Sequence, residues 1–299
     1  MSQMVKVLSA DDIPAENGWL SRQSAVVIAL GGEVSNADVL LDTDDKLPAL
    51  LQRINQYPRS SLVLVQALRA IDYLPVNDAL MVESFCYATL QAGSEHQQWL
   101  LKQHRKPTLL QGEGFACEVD RQGDKLIVRL NRPQFRNAIS VEMRDALMVA
   151  LDMIEGDASI STLELSGRGP CFSVGGALEE FGLSTDVTEA HWVRSTHSVA
   201  VRLAALSDRV HTHVHGACIG SGIELPAFSG RLTASSKSFF QLPELNLGLI
   251  PGAGGCVSIS RRIGRQRLAW WVLSGKKINA QTALTWGLLD AIEETRADR

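Results

Sequence analysis

Residues 126–165 read LIVRLNRPQFRNAISVEMRDALMVALDMIEGDASISTLEL. Leu126 to Leu130 is an apolar run of β type, and Arg132-Pro133 stops it, because proline has no N–H to give to a strand ladder. Ser140 is placed to cap a helix, and beyond it Met143, Leu147, Ala150, Leu151 and Ile154 fall on one stripe at helical spacing. Thr162 to Leu165 is the next strand. Strand, helix and strand in so short a span predict an α/β layer fold with a largely parallel sheet.

The flanking sequence continues that alternation. Ser166 to Pro170 is a turn, a helix is expected to begin near Gly175, and another covers roughly Glu189 to Leu206. His211 to His215 is strand-like, and Gly220 to Phe228 reads as a helix opened by glycines. Upstream, Ser24 to Leu30 and Ala37 to Leu41 are strand candidates, and Leu50, Leu51 and Ile54 mark a helix that Pro58 closes. After Pro75, Asn77 and Asp78 offer an N-cap for a long helix carrying Leu80, Met81, Phe85, Cys86 and Leu90. The basic segment His104 to Gly114, with Pro107, Gly112 and Gly114, reads as a linker. Two units are therefore expected, 1–112 and 113–299. There is no internal repeat and no low-complexity tract.

Composition narrows the function classes. Of 299 residues, 45% are hydrophobic and 21% charged, enough to bury a large core. Lys and Arg number 29 against 33 Asp and Glu, a net charge of −4, which argues against a nucleic-acid partner held by phosphate neutralisation. No apolar run approaches the roughly 18 residues of a membrane span. The opening residues MSQMVKVLSADD lack the apolar core of a signal peptide, so a cytoplasmic location is expected. Five widely spaced cysteines without a C-x-x-C pair read as reduced thiols, with neither a disulfide framework nor a zinc site.

Three segments are candidates for chemistry: Cys171 to Gly176, Gly216 to Glu224, and Leu242 to Gly255. Small residues at a helix start leave amide N–H groups uncovered, where partial positive charge accumulates. Two such amides aimed at one oxygen make an oxyanion hole, each donor contributing about 2.7–4 kcal/mol in the transition state. Glu224 and Glu244 each lie beside a glycine-rich turn. Neither glycine stretch has P-loop or dinucleotide spacing. His211, His213 and His215 alternate, so on a strand they share one face. With no acidic or cysteine partner nearby in sequence, hydrogen-bonded histidines are expected there and no metal.

In this order the segments resemble the enoyl-CoA hydratase/isomerase (crotonase) superfamily. The resemblance runs over Asn131-Arg132-Pro133 with Asn137-Ala138, Val174-Gly175-Gly176-Ala177-Leu178, Gly220-Ser221-Gly222-Ile223-Glu224-Leu225, and Pro243-Glu244 to Gly255. The tail Leu273-Ser274-Gly275-Lys276 to Trp286-Gly287-Leu288-Leu289-Asp290 also fits, so that about 113–293 is covered. The resemblance implies a spiral of ββα turns, usually assembled as a homotrimer or hexamer, and an acyl thioester of coenzyme A as substrate, with no other cofactor. It places the amides of Gly176 and Ser221 in the oxyanion hole and Glu224 and Glu244 in the acid/base pair. Arg136, Ala138, Val174, Gly175, Ala177, Leu178, Gly220, Gly222 and Pro243 would line the substrate, with Arg132 or Arg136 on a coenzyme A phosphate.

Two carboxylates suit hydration, which needs a base on the water attacking Cβ and an acid delivering a proton to Cα. The same hole also serves thioester hydrolysis, isomerisation or ring cleavage, and long N-terminal additions occur in the superfamily's cofactor-independent dioxygenases. A scaffold subunit without activity is the remaining alternative. Ala177 stands where many hydratases have Asp, and Ser221 where they have Gly. Residues 1–112 are expected to pack on the family core, with the helix over Leu80 to Leu90 meeting Trp270-Trp271.

Overall fold

The computed structural model describes residues 4–294; residues 1–3 and 295–299, at the outer ends of the two expected units, lie outside it. The N-terminal region opens with β1 (Val5–Ser9), β2 (Val26–Leu30) and β3 (Val39–Leu41). It continues with helices α1 (Leu47–Gln56), α2 (Pro58–Ile71), α3 (Val76–Gln91) and α4 (Ser94–Lys102). The three strands form a parallel sheet in the order β1-β2-β3. Val26, Val27, Ile28 and Ala29 are fully buried because both faces are covered, one by the main core and one by Ile13 and Leu20.

The remainder follows the mixed α/β pattern. In order it comprises β4 (Cys117–Gln122), β5 (Lys125–Leu130), α5 (Val141–Gly156), β6 (Thr162–Gly167), α6 (Val187–Thr196), α7 (Val199–Ala205), β7 (Val210–Val214) and β8 (Ala217–Ile219). There follow α8 (Ser221–Glu224), β9 (Arg231–Ala234), β10 (Phe239–Gln241), α9 (Gly255–Ile263), α10 (Arg265–Ser274), β11 (Ile278–Asn279), α11 (Ala280–Trp286) and β12 (Ala291–Ile292). A six-stranded sheet runs β12-β9-β7-β6-β5-β4, parallel apart from the β4–β5 hairpin. The small sheet β11-β10-β8 stands beside it and carries the glycine turns.

Helix α5 forms as its sequence dictates. Ser140 Oγ accepts the Met143 N–H at 3.1 Å, and Met143, Leu147, Ala150, Leu151 and Ile154 are its buried residues. Other segments differ from expectation. Pro58 opens α2 instead of merely ending α1, since its missing N–H costs nothing at the first helical position. Asn77 and Asp78 lie inside α3, which Pro75 precedes. No α-helix begins at Gly175; a short 3-10 turn, Leu178–Glu180, is all that forms. The expected helix over Glu189 to Leu206 is two helices, because Ser198 caps a fresh start through Val201 N–H.

The segment between α4 and β4 has no helix or strand but is strapped to the core. Thr108 N–H donates to Glu179 O at 2.8 Å and Leu110 N–H to Glu180 Oε1 at 2.9 Å. Arg132 reaches the same segment, donating to the carbonyls of Gly114 at 2.7 Å and Phe115 at 2.9 Å.

One contiguous apolar core takes residues from Val5 to Leu289, so both regions share it. Helix α10, which carries Trp270 and the fully buried Trp271, is covered by β3, α1 and α2. Gln266 donates to Val34 O and Ala37 O, and Arg53 to Leu273 O, sewing the seam. The main contacts of helix α3 are with α2, α6 and α9, and its one buried carboxylate accepts from the amides at the start of α9.

Candidate active site

Two isolated bridges join the glycine turns. Ser173 pairs with Cys218 and Ile139 with Gly176, both in parallel sense. Ile139 N–H donates to Gly175 O and Ala177 N–H to Ile139 O, which leaves the amide of Gly176 pointing out of the bridge. Ser221 is the first residue of α8, so its amide has no acceptor within the helix. The turns touch closely: a Cβ on Gly175, whose φ is +92°, would come within 2.6 Å of Ile219 O. This packing sets Val174, Gly175, Gly176 and Ala177 beside Gly220, Ser221 and Gly222. Arg136 and Ala138 join them, since Val174 N–H donates to Arg136 O at 3.2 Å.

Beyond β10, the Gly220 N–H donates to Gln241 O, which brings Pro243 and Glu244 back over the same turn. Gly220 has φ +51°, and a Cβ there would stand 2.7 Å from Glu244 Oε1 and 3.8 Å from Glu224 Oε1. The two glutamates therefore present oxygens to one point, and only glycine fits beneath them. Their surroundings differ. Glu224 Oε2 accepts N–H groups from Ala253 at 2.8 Å and Gly255 at 3.0 Å, whereas Glu244 Oε2 is buried without a hydrogen-bond partner. Burial pushes Glu224 up to about 7, the amides of the turn opposing it. Burial raises Glu244 well above the usual glutamate range, and the charge of Glu224 adds to it. Separation of this kind lets one group act as base and the other as acid.

The sequence-predicted residues gather here with two exceptions. Leu178 is 40% exposed and stands at the rim, on a cavity of about 220 Å³ shared with Leu100, Arg105 and Phe181. Arg132 is not available to a phosphate. It is 2% exposed, with Nη2 on Glu142 Oε1 at 2.6 Å and Nε on Glu142 Oε2 at 3.0 Å, because a buried guanidinium needs its charge and its donors satisfied. Arg136 is exposed. Ser221 Oγ is buried without a partner, on the wall of a void of about 10 Å³ lined otherwise by apolar side chains such as Leu130 and Phe172.

The histidines do not form a cluster. His211 is exposed, His213 Nδ1 pairs with Thr233 Oγ1, and His215, past the end of β7, pairs through Nε2 with Gly169 O. Among the described residues no group of three or more His, Cys, Asp or Glu could hold a metal ion.

Sequence reasoning missed a third carboxylate. Glu83 of α3 accepts the amides of Gly254 at 2.7 Å and Cys256 at 2.8 Å, and one turn further along α3 the Tyr87 ring packs against Gly252. Only the folded chain reveals Glu83, as the one acid among the buried Ala79, Leu80, Ser84 and Ala88 of α3.

A family profile described as Enoyl-CoA hydratase/isomerase matches residues 122–296. The chain is 32% identical over 174 residues to a 2,3-dehydroadipyl-CoA hydratase of Escherichia coli, covering 58% of this chain and 68% of that protein. It is 31% identical to a mitochondrial enoyl-CoA hydratase of Pongo abelii, covering 56% of this chain and 57% of the relative. The chain thus spans between roughly half and two thirds of the length of these relatives. A crystal structure of an enoyl-CoA hydratase from Thermoplasma volcanium superposes with a TM-score of 0.57 at 31% identity, covering 63% of this chain and 75% of that one. The chain belongs to the enoyl-CoA hydratase/isomerase family, whose α/β fold it shares. No helix among the described residues is long and apolar enough to cross a membrane.

Proposed function

We propose that the protein adds water across the double bond of an α,β-unsaturated acyl thioester of coenzyme A. The thioester carbonyl oxygen lies against the amides of Gly176 and Ser221, which stabilise it as it becomes an enolate. Glu224, whose ionised form two backbone amides favour against burial, takes a proton from the water attacking Cβ. Glu244, kept protonated by burial and by the neighbouring charge, gives its proton to Cα. Arg136, exposed beside the turn, is the guanidinium suited to a phosphate of coenzyme A.

The observation that carries this reading is the shared position of the two glutamates over Gly220, one satisfied by amides and the other with an unpartnered oxygen. The hydratase names among the relatives support it. The test is incubation with a panel of enoyl-CoA thioesters, following loss of the conjugated chromophore and, in parallel, release of free thiol. Loss of conjugation without thiol is the expected result. Stoichiometric thiol release would assign hydrolysis instead, and no turnover with no thioester binding would leave a scaffold.

A further inference from the structure

The N-terminal region reaches the candidate site from α3, where Glu83 and Tyr87 meet the turn 252–256. Glu83 is 2% exposed, and both its oxygens are engaged: Oε1 by Gly254 N–H and Oε2 by Cys256 N–H. The amides between them belong to the other glutamate, since Ala253 and Gly255 donate to Glu224 Oε2. Four consecutive amides, 253 to 256, are thus divided alternately between Glu224 on one side and Glu83 on the other. The turn that fixes Glu224 is gripped from behind by a side chain of α3. Residue 83 lies outside the 122–296 span of the family match.

We propose that Glu83 is a positioning residue of the site: by holding the amides of Gly254 and Cys256 it locks the 253–256 turn, so that Ala253 and Gly255 address Glu224, and the N-terminal region thereby completes the acid/base pair. The inference rests on the hydratase reading for its kinetic consequences, while its structural core does not depend on the reaction.

Charge follows from the same arrangement. Glu83 is pushed up to about 8 by burial and then by the charge of Glu224, and its own charge helps to raise Glu244. The other groups facing it are Cys86 and Tyr87 on α3, Cys256 on α9, and His191 and Arg194 on α6. Burial raises the thiols of Cys86 and Cys256 and the Tyr87 phenol, so they stay neutral. Arg194 lies over the Tyr87 ring at 4.7 Å and donates to Ser84 Oγ, which also pairs with His191 Nδ1. Arg69 of α2 and Arg202 of α7 are held elsewhere by Asp38 and by Asp152 with Glu155. Among the described residues the cation beside Glu83 is Arg194, which acts on it through space without a hydrogen bond, so what a neutral residue at 83 would relieve is the repulsion that an ionised Glu83 exerts on Glu244 at high pH.

Two variants and two readouts test this. Glu83→Gln keeps the shape and one acceptor; Glu83→Ala removes both. With the enoyl-CoA that the wild type turns over, Glu83→Gln should lower kcat at least 10-fold with KM changed less than about 2-fold, and the falling limb of its pH–rate profile, which Glu244 sets, should move to lower pH while the rising limb stays in place. Independently of any reaction, amide hydrogen exchange at Ala253 and Gly255, the two bonded to Glu224, should quicken at least 10-fold in Glu83→Ala or, if that variant does not fold, in Glu83→Gln. Unchanged kcat and profile in an active protein would overturn the proposal. So would quicker exchange confined to Gly254 and Cys256. If no enoyl-CoA is turned over by the wild type, the hydratase reading falls, and the exchange result alone decides whether Glu83 positions Glu224.

Discussion

At the scale of single residues, environment separates two chemically identical side chains. Glu224 gains two amide donors and Glu244 has an oxygen with none, so at neutral pH the pair holds one proton more readily than two or zero. Activity should rise as Glu224 ionises, through about pH 7, and fall at higher pH as Glu244 loses its proton. Glu224→Gln and Glu244→Gln should each reduce kcat by about 10²–10⁴-fold while thioester affinity, read by calorimetry on an inactive acyl-CoA, changes little. Glu224→Gln should also abolish the rising limb. A bell-shaped profile that survives either substitution would remove the assigned roles. Both glutamates stood out in the sequence through the family resemblance, since an acid beside a glycine turn is a weak signal alone. Glu83 did not, since a lone acid in an amphipathic helix reads as surface until the element it faces is known.

At the scale of elements, legibility followed how local the determinants are. Helix α5 carries its own cap and its own stripe, so its start and its buried face were readable from residues 140–154 alone. The start of α2 was hidden because proline signals both a stop and a first turn, and only the following residues decide which. Arg132 shows the limit for side chains. Its motif suggested a phosphate ligand, yet a neighbour ten positions on, Glu142, and the carbonyls of 112–115 consume its donors. Arg132→Ala should therefore destabilise the fold by about 1–3 kcal/mol, since it leaves the carbonyls of 112–115 without their donor while Glu142 keeps access to water, seen as a lower Tm with thioester affinity retained in the folded protein. Arg132→Lys should restore less than half of that, having a point charge in place of a fork. The Arg132 hydrogen bond holds the Glu142 carboxyl below its usual range, so this contribution is present above about pH 4.5 and is lost as pH falls through the lowered value. The low-pH loss of Tm should accordingly be shallower in Arg132→Ala.

At the scale of the molecule, the boundary near residue 112 divides the sequence more sharply than it divides the structure. The linker composition was readable, and the segment lacks helix and strand, but one apolar cluster joins the regions on either side of it. Docking was not readable because it depends on which faces of α1, α2 and α3 remain after each has covered its neighbours. Helix α10 gives its buried face, with Leu268, Trp271 and Val272 fully shielded, to elements of the N-terminal region, and α9 offers its first amides to Glu83. A shared core of this size unfolds as a unit, since parting the two regions would expose apolar area on both at about 25 cal/mol per Å². The full chain should show one calorimetric transition whose van't Hoff and calorimetric enthalpies agree. A fragment of residues 113–299 should be insoluble or should melt without cooperativity. Two resolved transitions, or a soluble fragment that melts as sharply as the parent, would mean that the N-terminal region is an appendage and that its carboxylate reaches the site without being part of what holds it.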